Sequence, residues 1–306
     1  MYTDYDVIIA GSGVAGLAAG IYCARAGLNT VVMEKEKMGG ELVNRQMIEN
    51  YPGFAEGLMG PELAAAMLEQ AGNAGVEFES AEITEIKAKN GIVMVSTEDD
   101  TLTCKGVIIA TGSHPRLLNV PGEKELFGKG VIYCATCDGP TIAGRHVVVA
   151  GAGDSGVTEA LYLEKLGCKV TIMEFMDVPK ASQVLLDRVE ESDNIEIMCG
   201  VAITGITGTD WVDGVDYKVK ATGEEGHIEV GGILVRIGII PNTEFLSDTL
   251  TLEPNGQIPV DWTMATELPG VYAAGDIRKW SCQQLTTAAG DGVTAAMNLI
   301  RYINAQ

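Results

Sequence analysis

Positive charge is what this sequence has least of: 21 Lys and Arg stand against 42 Asp and Glu, a formal net charge of -21 over 306 residues. So acidic a surface repels phosphate backbones and anionic headgroups at physiological salt, which argues against nucleic acid or an anionic membrane as partner. Histidine is nearly absent: His114, His146 and His227 are the three in the chain and form no ligand cluster, so no metal site is expected. No apolar run reaches membrane-spanning length. The residues before Val7 lead into the strand Val7-Ile8-Ile9-Ala10 without a basic leader, an apolar core region or a cleavage site. Seven cysteines, an odd number in a chain of this size, do not make a disulfide scaffold, and a reducing cytoplasm is the expected home.

What is present is enough apolar residue, 46% of the chain, to bury the cores of two domains. Two of the cysteines stand together in Cys134-Ala135-Thr136-Cys137-Asp138-Gly139. Thiols at this spacing close and reopen a small disulfide ring and so carry two electrons. Asp138, directly after the second thiol, is placed to give and take the proton that dithiol exchange needs. A structural zinc site would need about four ligands, and Cys23, Cys104, Cys168, Cys199 and Cys282 each stand alone. Two unrelated buried cysteines remain the plain alternative.

Two nucleotide motifs weigh against that alternative. Val7–Ala10 runs into Gly11-Ser12-Gly13-Val14-Ala15-Gly16, an Ala/Leu-rich helix and then Thr30-Val31-Val32-Met33-Glu34. Gly11 permits the tight turn, Gly13 lets backbone approach a pyrophosphate, Gly16 allows the helix to pack close, and Glu34 can accept both ribose hydroxyls. The pattern recurs from Val147: Gly151, Gly153 and Gly156, with Asp154 and Ser155 between them, lead by the same route to Glu174. Gly11 to Glu34 and Gly151 to Glu174 both span 23 positions. Two cradles with two ribose acids imply two dinucleotides, or one and a degenerate copy.

Between and after these units the pattern predicts a helix from about Gly60 to Asn73 and antiparallel strands from Val76 to about Cys104. A buried strand then ends at Ala110-Thr111-Gly112, and a meander runs from about Ile195 to Val235. His114-Pro115 and Ile240-Pro241-Asn242-Thr243 read as two hinges. Near the end, Gly275-Asp276 closes a strand, with Asp276 a candidate for a ribityl or phosphate-proximal hydroxyl. The helix beginning near Gln284 and Leu285 would present its amino terminus to an anionic group.

In order and spacing these motifs, with Glu49-Asn50-Tyr51-Pro52-Gly53, resemble the low-molecular-weight thioredoxin reductase family of flavoproteins over essentially the whole chain. They are also similar to the carboxy-terminal part of the alkyl hydroperoxide reductase flavoprotein subunit. The resemblance implies an α/β fold of two Rossmann-like, three-layer dinucleotide-binding domains, the second inserted in the first, as in FAD/NAD(P)-linked disulfide reductases. Residues 1–113 and 244–306 would bind FAD, and residues 114–243 would carry the thiols and the pyridine-nucleotide-type site. FAD would be lined by Gly11, Ser12, Gly13, Ala15, Gly16, Glu34, Lys35, Gly40, Glu41 and Leu42. Asn50, Ala110, Thr111, Gly112, Gly275, Asp276, Gln284 and Leu285 complete that set. Cys137 would face the flavin, Cys134 would attack the partner disulfide, and Asp138 would serve as acid and base. A homodimer acting on thioredoxin or a thioredoxin- or glutaredoxin-like protein is implied as well.

The chain departs from the family at three places. NADPH-using members carry a basic cluster after the second ribose strand, whereas this chain has Met173-Glu174-Phe175-Met176-Asp177-Val178-Pro179-Lys180. A 2′-phosphate facing Glu174 and Asp177 would be repelled and a free ribose diol accepted, which favours NADH over NADPH. Relatives without the basic cluster also include enzymes fed by ferredoxin or reduced deazaflavin, which stays open as a donor class. Glu41 stands where the family usually has Gln, and Gln283 where it usually has Arg. Two further functions remain: a ferredoxin reductase-type shuttle in which the thiols are incidental, and a non-enzymatic redox sensor.

Overall fold

A computed structural model describes residues 2–45, 47, 48 and 50–306; Glu49, which opens the Glu49–Gly53 motif, lies outside the described residues. The chain divides into two compact units, Met1–His114 with Ile240–Gln306, and Pro115–Ile239. The sequence places the crossings after 113 and 243, and the units divide after 114 and 239.

In the first unit Val7, Ile8, Ile9 and Ala10 are all buried, as expected of a strand covered on both faces. Tyr5–Ala10 is flanked in parallel by Thr30–Glu34 and Thr101–Ile109. Glu77–Ser80 extends the sheet beyond Thr30–Glu34, and Val271–Ala273 pairs in parallel with the last residues of Thr101–Ile109. The expected antiparallel strands are real from Ile83 onward, where Ile83–Lys89, Ile92–Thr97 and Thr101–Ile109 form a meander. Glu77–Ser80 differs: it is a parallel edge strand, and all four of its residues are exposed, so no in-out alternation marks it. The helix Gly60–Asn73 falls where the periodicity predicts it.

Small residues let helices come close on one face of this sheet. The terminal helix Leu285–Asn304 packs on Val14–Arg25, and at Gly292 a Cβ would run into the Ala15 carbonyl. Leu299, fully buried, fills the space that Gly106 leaves by lacking a side chain.

The second unit repeats the plan. Five parallel strands run in the order Val131–Ile132, Ile233–Val235, His146–Ala150, Lys169–Glu174, Ile195–Cys199. The expected meander is narrower than predicted: only Val201–Gly208, Val212–Val219 and Glu225–Glu229 form the antiparallel sheet. Ile233–Val235 is buried at all three residues and joins the parallel sheet, which is where a fully apolar run belongs.

The crossing segments Ser113–Pro115 and Ile239–Pro241 are strands of one two-stranded sheet. Just after, Asn242 Nδ2 donates to the Thr111 carbonyl at 2.7 Å and Thr111 Oγ1 donates to the Asn242 carbonyl at 2.8 Å. Among the described residues no helix is long and apolar enough to cross a membrane.

Leu299→Ala empties a site closed by sheet backbone on one side. Urea unfolding should show a loss of about 2–5 kcal/mol in this unit; a loss under about 1 kcal/mol would mean that the terminal helix is not packed as described.

Candidate functional site

The first cradle is built by backbone. Gly11 has φ +101°, and a Cβ there would stand 2.5 Å from the Ala110 carbonyl oxygen; a Cβ on Gly16 would strike the Gly11 carbonyl. Gly13 has nothing within 4 Å of its Cβ position, so its backbone is open to a ligand. Glu34 closes the turn: its Oε2 accepts from Ser12 N at 2.9 Å and Ser12 Oγ at 2.8 Å, and its Oε1 from Glu36 N at 3.2 Å.

A cavity of about 730 Å³ opens in front of this turn, within the range that takes a whole ligand. Of the predicted residues, Gly11, Gly13, Ala15, Glu34 and Lys35 line it, joined by Gly40, Glu41 and Leu42 from the 3-10 turn Gly40–Asn44. Ala110, Thr111 and Gly112 line it from the end of the strand, and Gly275, Asp276 and Leu285 from the carboxy-terminal segment. Ser12 and Gly16 stand behind the wall. Asn50 and Gln284 do not line the cavity, and Asn50 Nδ2 donates to Gln284 Oε1 at 3.2 Å. Burial pushes the Asp276 carboxyl above the usual range, against the hydrogen bond from Ser281 Oγ and the charge of Arg45. His114, Asn242, Phe245 and residues 81–83 also line the cavity and were not predicted to. Asn242 reads as a hinge in sequence, and residues 81–83 follow the edge strand whose place in the sheet no pattern marks.

These residues fit FAD. The open backbone at Gly13 and Gly112, the carboxylate at Glu34 and the amino terminus of Leu285–Asn304 supply a pyrophosphate cradle, a diol acceptor and a positive helix end.

The second cradle copies the first residue by residue. Gly151 has φ +106°, and its Cβ position lies 2.5 Å from the Arg236 carbonyl; a Cβ on Gly156 would strike the Gly151 carbonyl, and Gly153 is open. Glu174, 9% exposed, accepts from Ala152 N at 2.7 Å and Met176 N at 2.8 Å, the same two backbone positions that Glu34 holds. Asp154 and Ser155 are exposed at the start of the helix Asp154–Lys165, and Asp154 Oδ1 accepts from Ser182 N at 2.6 Å. Lys220, in the turn that follows the central meander strand Val212–Val219, also reaches this end. Its Nζ donates to the Phe175 carbonyl at 2.7 Å, lies 4.2 Å over the Phe175 ring and approaches Asp177 at 3.5 Å.

Cys134 and Cys137 are joined as a disulfide, their Cα atoms 5.4 Å apart, and both are partly exposed. Ala135–Asp138 is a single helical turn in which Asp138 N donates to the Cys134 carbonyl at 3.0 Å, placing Asp138 directly after the pair. Cys23, Cys104 and Cys168 are buried, and burial pushes the Cys23 and Cys104 thiols up to about 12, far from a reactive thiolate.

Comparison with known proteins agrees with this geometry. The pyridine nucleotide-disulphide oxidoreductase family profile matches residues 5–292. The thioredoxin reductase of Peptoclostridium acidaminophilum is 40% identical, with 100% of this chain and 99% of that protein covered. A bifunctional thioredoxin reductase/thioredoxin of Mycobacterium leprae is 38% identical over 98% of this chain, which spans 66% of that longer protein. The crystal structure of thioredoxin reductase from Streptococcus pyogenes MGAS5005 superposes with a TM-score of 0.91 at 36% identity, covering 99% of both chains. The chain therefore belongs to the pyridine nucleotide-disulphide oxidoreductase family and, within it, to the low-molecular-weight, FAD-dependent thioredoxin reductases.

Proposed function

We propose that this protein passes two electrons from NADH, by way of FAD in the first unit and the Cys134–Cys137 disulfide in the second, to thioredoxin or a thioredoxin- or glutaredoxin-like protein. The doubled cradle is the observation that carries this reading: two glycine turns, each fastened to a carboxylate through the same pair of backbone N–H groups, in a chain that also holds a partly exposed CxxC disulfide. When bound, FAD supplies a relay that accepts two electrons as hydride and delivers them to a disulfide. Gly11, Gly13 and Glu34 would hold its adenosine and pyrophosphate end, while Gly40, Leu42, Thr111, Gly112 and Asp276 line the rest of the same cavity.

The dithiol chemistry belongs to this chain's own residues. Cys134, as thiolate, attacks one sulfur of the partner disulfide; the partner's S–S bond breaks and a mixed disulfide forms. Cys137 then attacks Cys134 Sγ, which re-forms the Cys134–Cys137 bond and releases the partner as a dithiol. Asp138 moves the protons that these steps require. Family likeness extends the proposal to a homodimer working in the cytoplasm.

Donor choice follows from Glu174. This carboxylate is buried, already fixed by two N–H donors and oriented as Glu34 is, so it offers remaining acceptor positions to a ribose diol and repulsion to a phosphate. Asp177 adds to the repulsion, and Lys220 is engaged by the Phe175 carbonyl and ring. Supply by ferredoxin or reduced deazaflavin would leave the open Gly153 and the fastened Glu174 without a task, which favours the nucleotide.

Cys134→Ser should lower thioredoxin-disulfide turnover by at least about a thousandfold, while reduction of a small artificial acceptor stays within about threefold of wild type. Survival of disulfide turnover would make the protein a shuttle with incidental thiols. Gly151→Ala puts a side chain where φ is +106° and should raise the KM for NADH by at least about tenfold, with flavin content unchanged. Gly11→Ala should have the converse effect, purifying with little flavin; equal loss of flavin in both variants would remove the division of labour between the cradles.

A further inference from the structure

The backbone on both sides of Cys134 is held by one ion pair that the chemistry above does not use. Ala135 N donates to Glu159 Oε2 at 2.7 Å, and the Tyr133 carbonyl accepts from Arg236 Nη1 at 3.2 Å. Arg236 Nε lies 2.9 Å from Glu159 Oε1, a charge contact off the line of a hydrogen bond, with the two side chains only 18% and 15% exposed. Both partners are anchored at the second cradle. Glu159 sits in the helix Asp154–Lys165 that leaves the glycine turn, and Arg236 follows the strand Ile233–Val235 with its own carbonyl against Gly151. Tyr133 is fixed at its other end: its hydroxyl donates to Glu123 Oε1 at 3.0 Å, and Glu123, 1% exposed, also accepts from Leu118 N and Asn119 N.

The charges around the pair are unequal. Reduction creates a thiolate on a segment whose backbone is held by Glu159 at Ala135 N and by Arg236 at the Tyr133 carbonyl, with Asp138 following Cys137 in the chain, so two carboxylates stand against one cation. The same balance acts on Glu159 itself, whose carboxyl is pushed up by burial, drawn down by Arg236 and pushed up again by Asp138. A cation beside a thiolate stabilises the reduced form and makes the disulfide more oxidising, and a carboxylate does the reverse.

We propose that Arg236 and Glu159 are positioning residues that clamp Cys134 and set the reduction potential of the Cys134–Cys137 pair, Arg236 favouring the dithiol and Glu159 the disulfide. The proposal rests on the redox reading of that pair.

The test equilibrates the FAD-loaded protein without oxygen in glutathione buffers of fixed ratio. Two glutathione thiols supply two electrons and two protons; the Cys134–Cys137 bond breaks and the bond of glutathione disulfide forms. The reduced fraction is read by alkylation and mass analysis of the peptide holding both cysteines. Arg236→Met should lower the equilibrium constant for reduction about tenfold, about 30 mV for a two-electron couple. Glu159→Gln, which keeps an acceptor for Ala135 N, should raise it by a similar factor, and the double variant should return to within about threefold of wild type. Arg236→Lys should recover most of the Arg236→Met shift. Single variants that shift in the same direction, or not at all, would overturn the proposal. If Arg236→Met does not hold FAD, the sign of the Glu159→Gln shift decides. A wild-type pair that ignores the buffer would overturn the redox reading itself, and the proposal with it.

Discussion

A carboxylate hydrogen-bonded to the backbone of a glycine turn is the contact on which both units depend. Glu34 fastens the turn at Ser12, and Glu174 fastens the turn at Ala152. Each bond joins the end of one parallel strand to the loop that leaves its neighbour, so it locks the two strands, the turn and the helix that follows into one body. The acceptor is charged, which makes such bonds about twice as strong as those between neutral groups. It also places a negative charge beside the turn, where the proposed reading has a ribose diol accepted and a phosphate refused. On that proposal, fold and specificity come from the same side chain.

Around that contact the packing has little freedom. Gly11 and Gly151 sit at φ +101° and +106° with carbonyl oxygens where a Cβ would stand, and Gly16 and Gly156 press the helix start against the turn. Gly13 and Gly153 face open space in both units. The tight positions and the open one therefore fall in the same order twice, tight where helix meets strand and open where a pyrophosphate would lie. The first unit surrounds its turn with a deep cavity. In the second, the helix that leaves the turn bears Glu159, and the strand beneath it leads to Arg236, so the nucleotide cradle and the clamp on Cys134 share their framework.

What could be read in the sequence was what is local. The two glycine turns, their acids 23 positions on, the helix Gly60–Asn73 and the CxxC each lie within one short window, where spacing alone fixes geometry. Contacts made by topology could not be read this way. Asn242 and His114 reach the first cavity because the chain returns beside Thr111, and Lys220 reaches Phe175 from the turn after the meander strand Val212–Val219. Arg236 and Glu159 meet only once the parallel sheet has brought the strand Ile233–Val235 alongside His146–Ala150. The edge strand Glu77–Ser80 departs from the antiparallel expectation for a related reason: with every residue exposed, it has no hydrophobic period to betray its partner.

The most direct measurement is anaerobic rapid mixing of the oxidised, FAD-loaded protein with NADH and, in parallel, with NADPH at equal concentration, following the flavin absorbance band. A second cradle that reads a free diol through Glu174 predicts bleaching by NADH at least about tenfold faster than by NADPH. Equal bleaching by NADPH would contradict that reading of the carboxylate. A flavin that neither nucleotide bleaches, yet dithionite reduces normally, would mean that the second cradle feeds no electrons to the first and that ferredoxin or a deazaflavin is the donor.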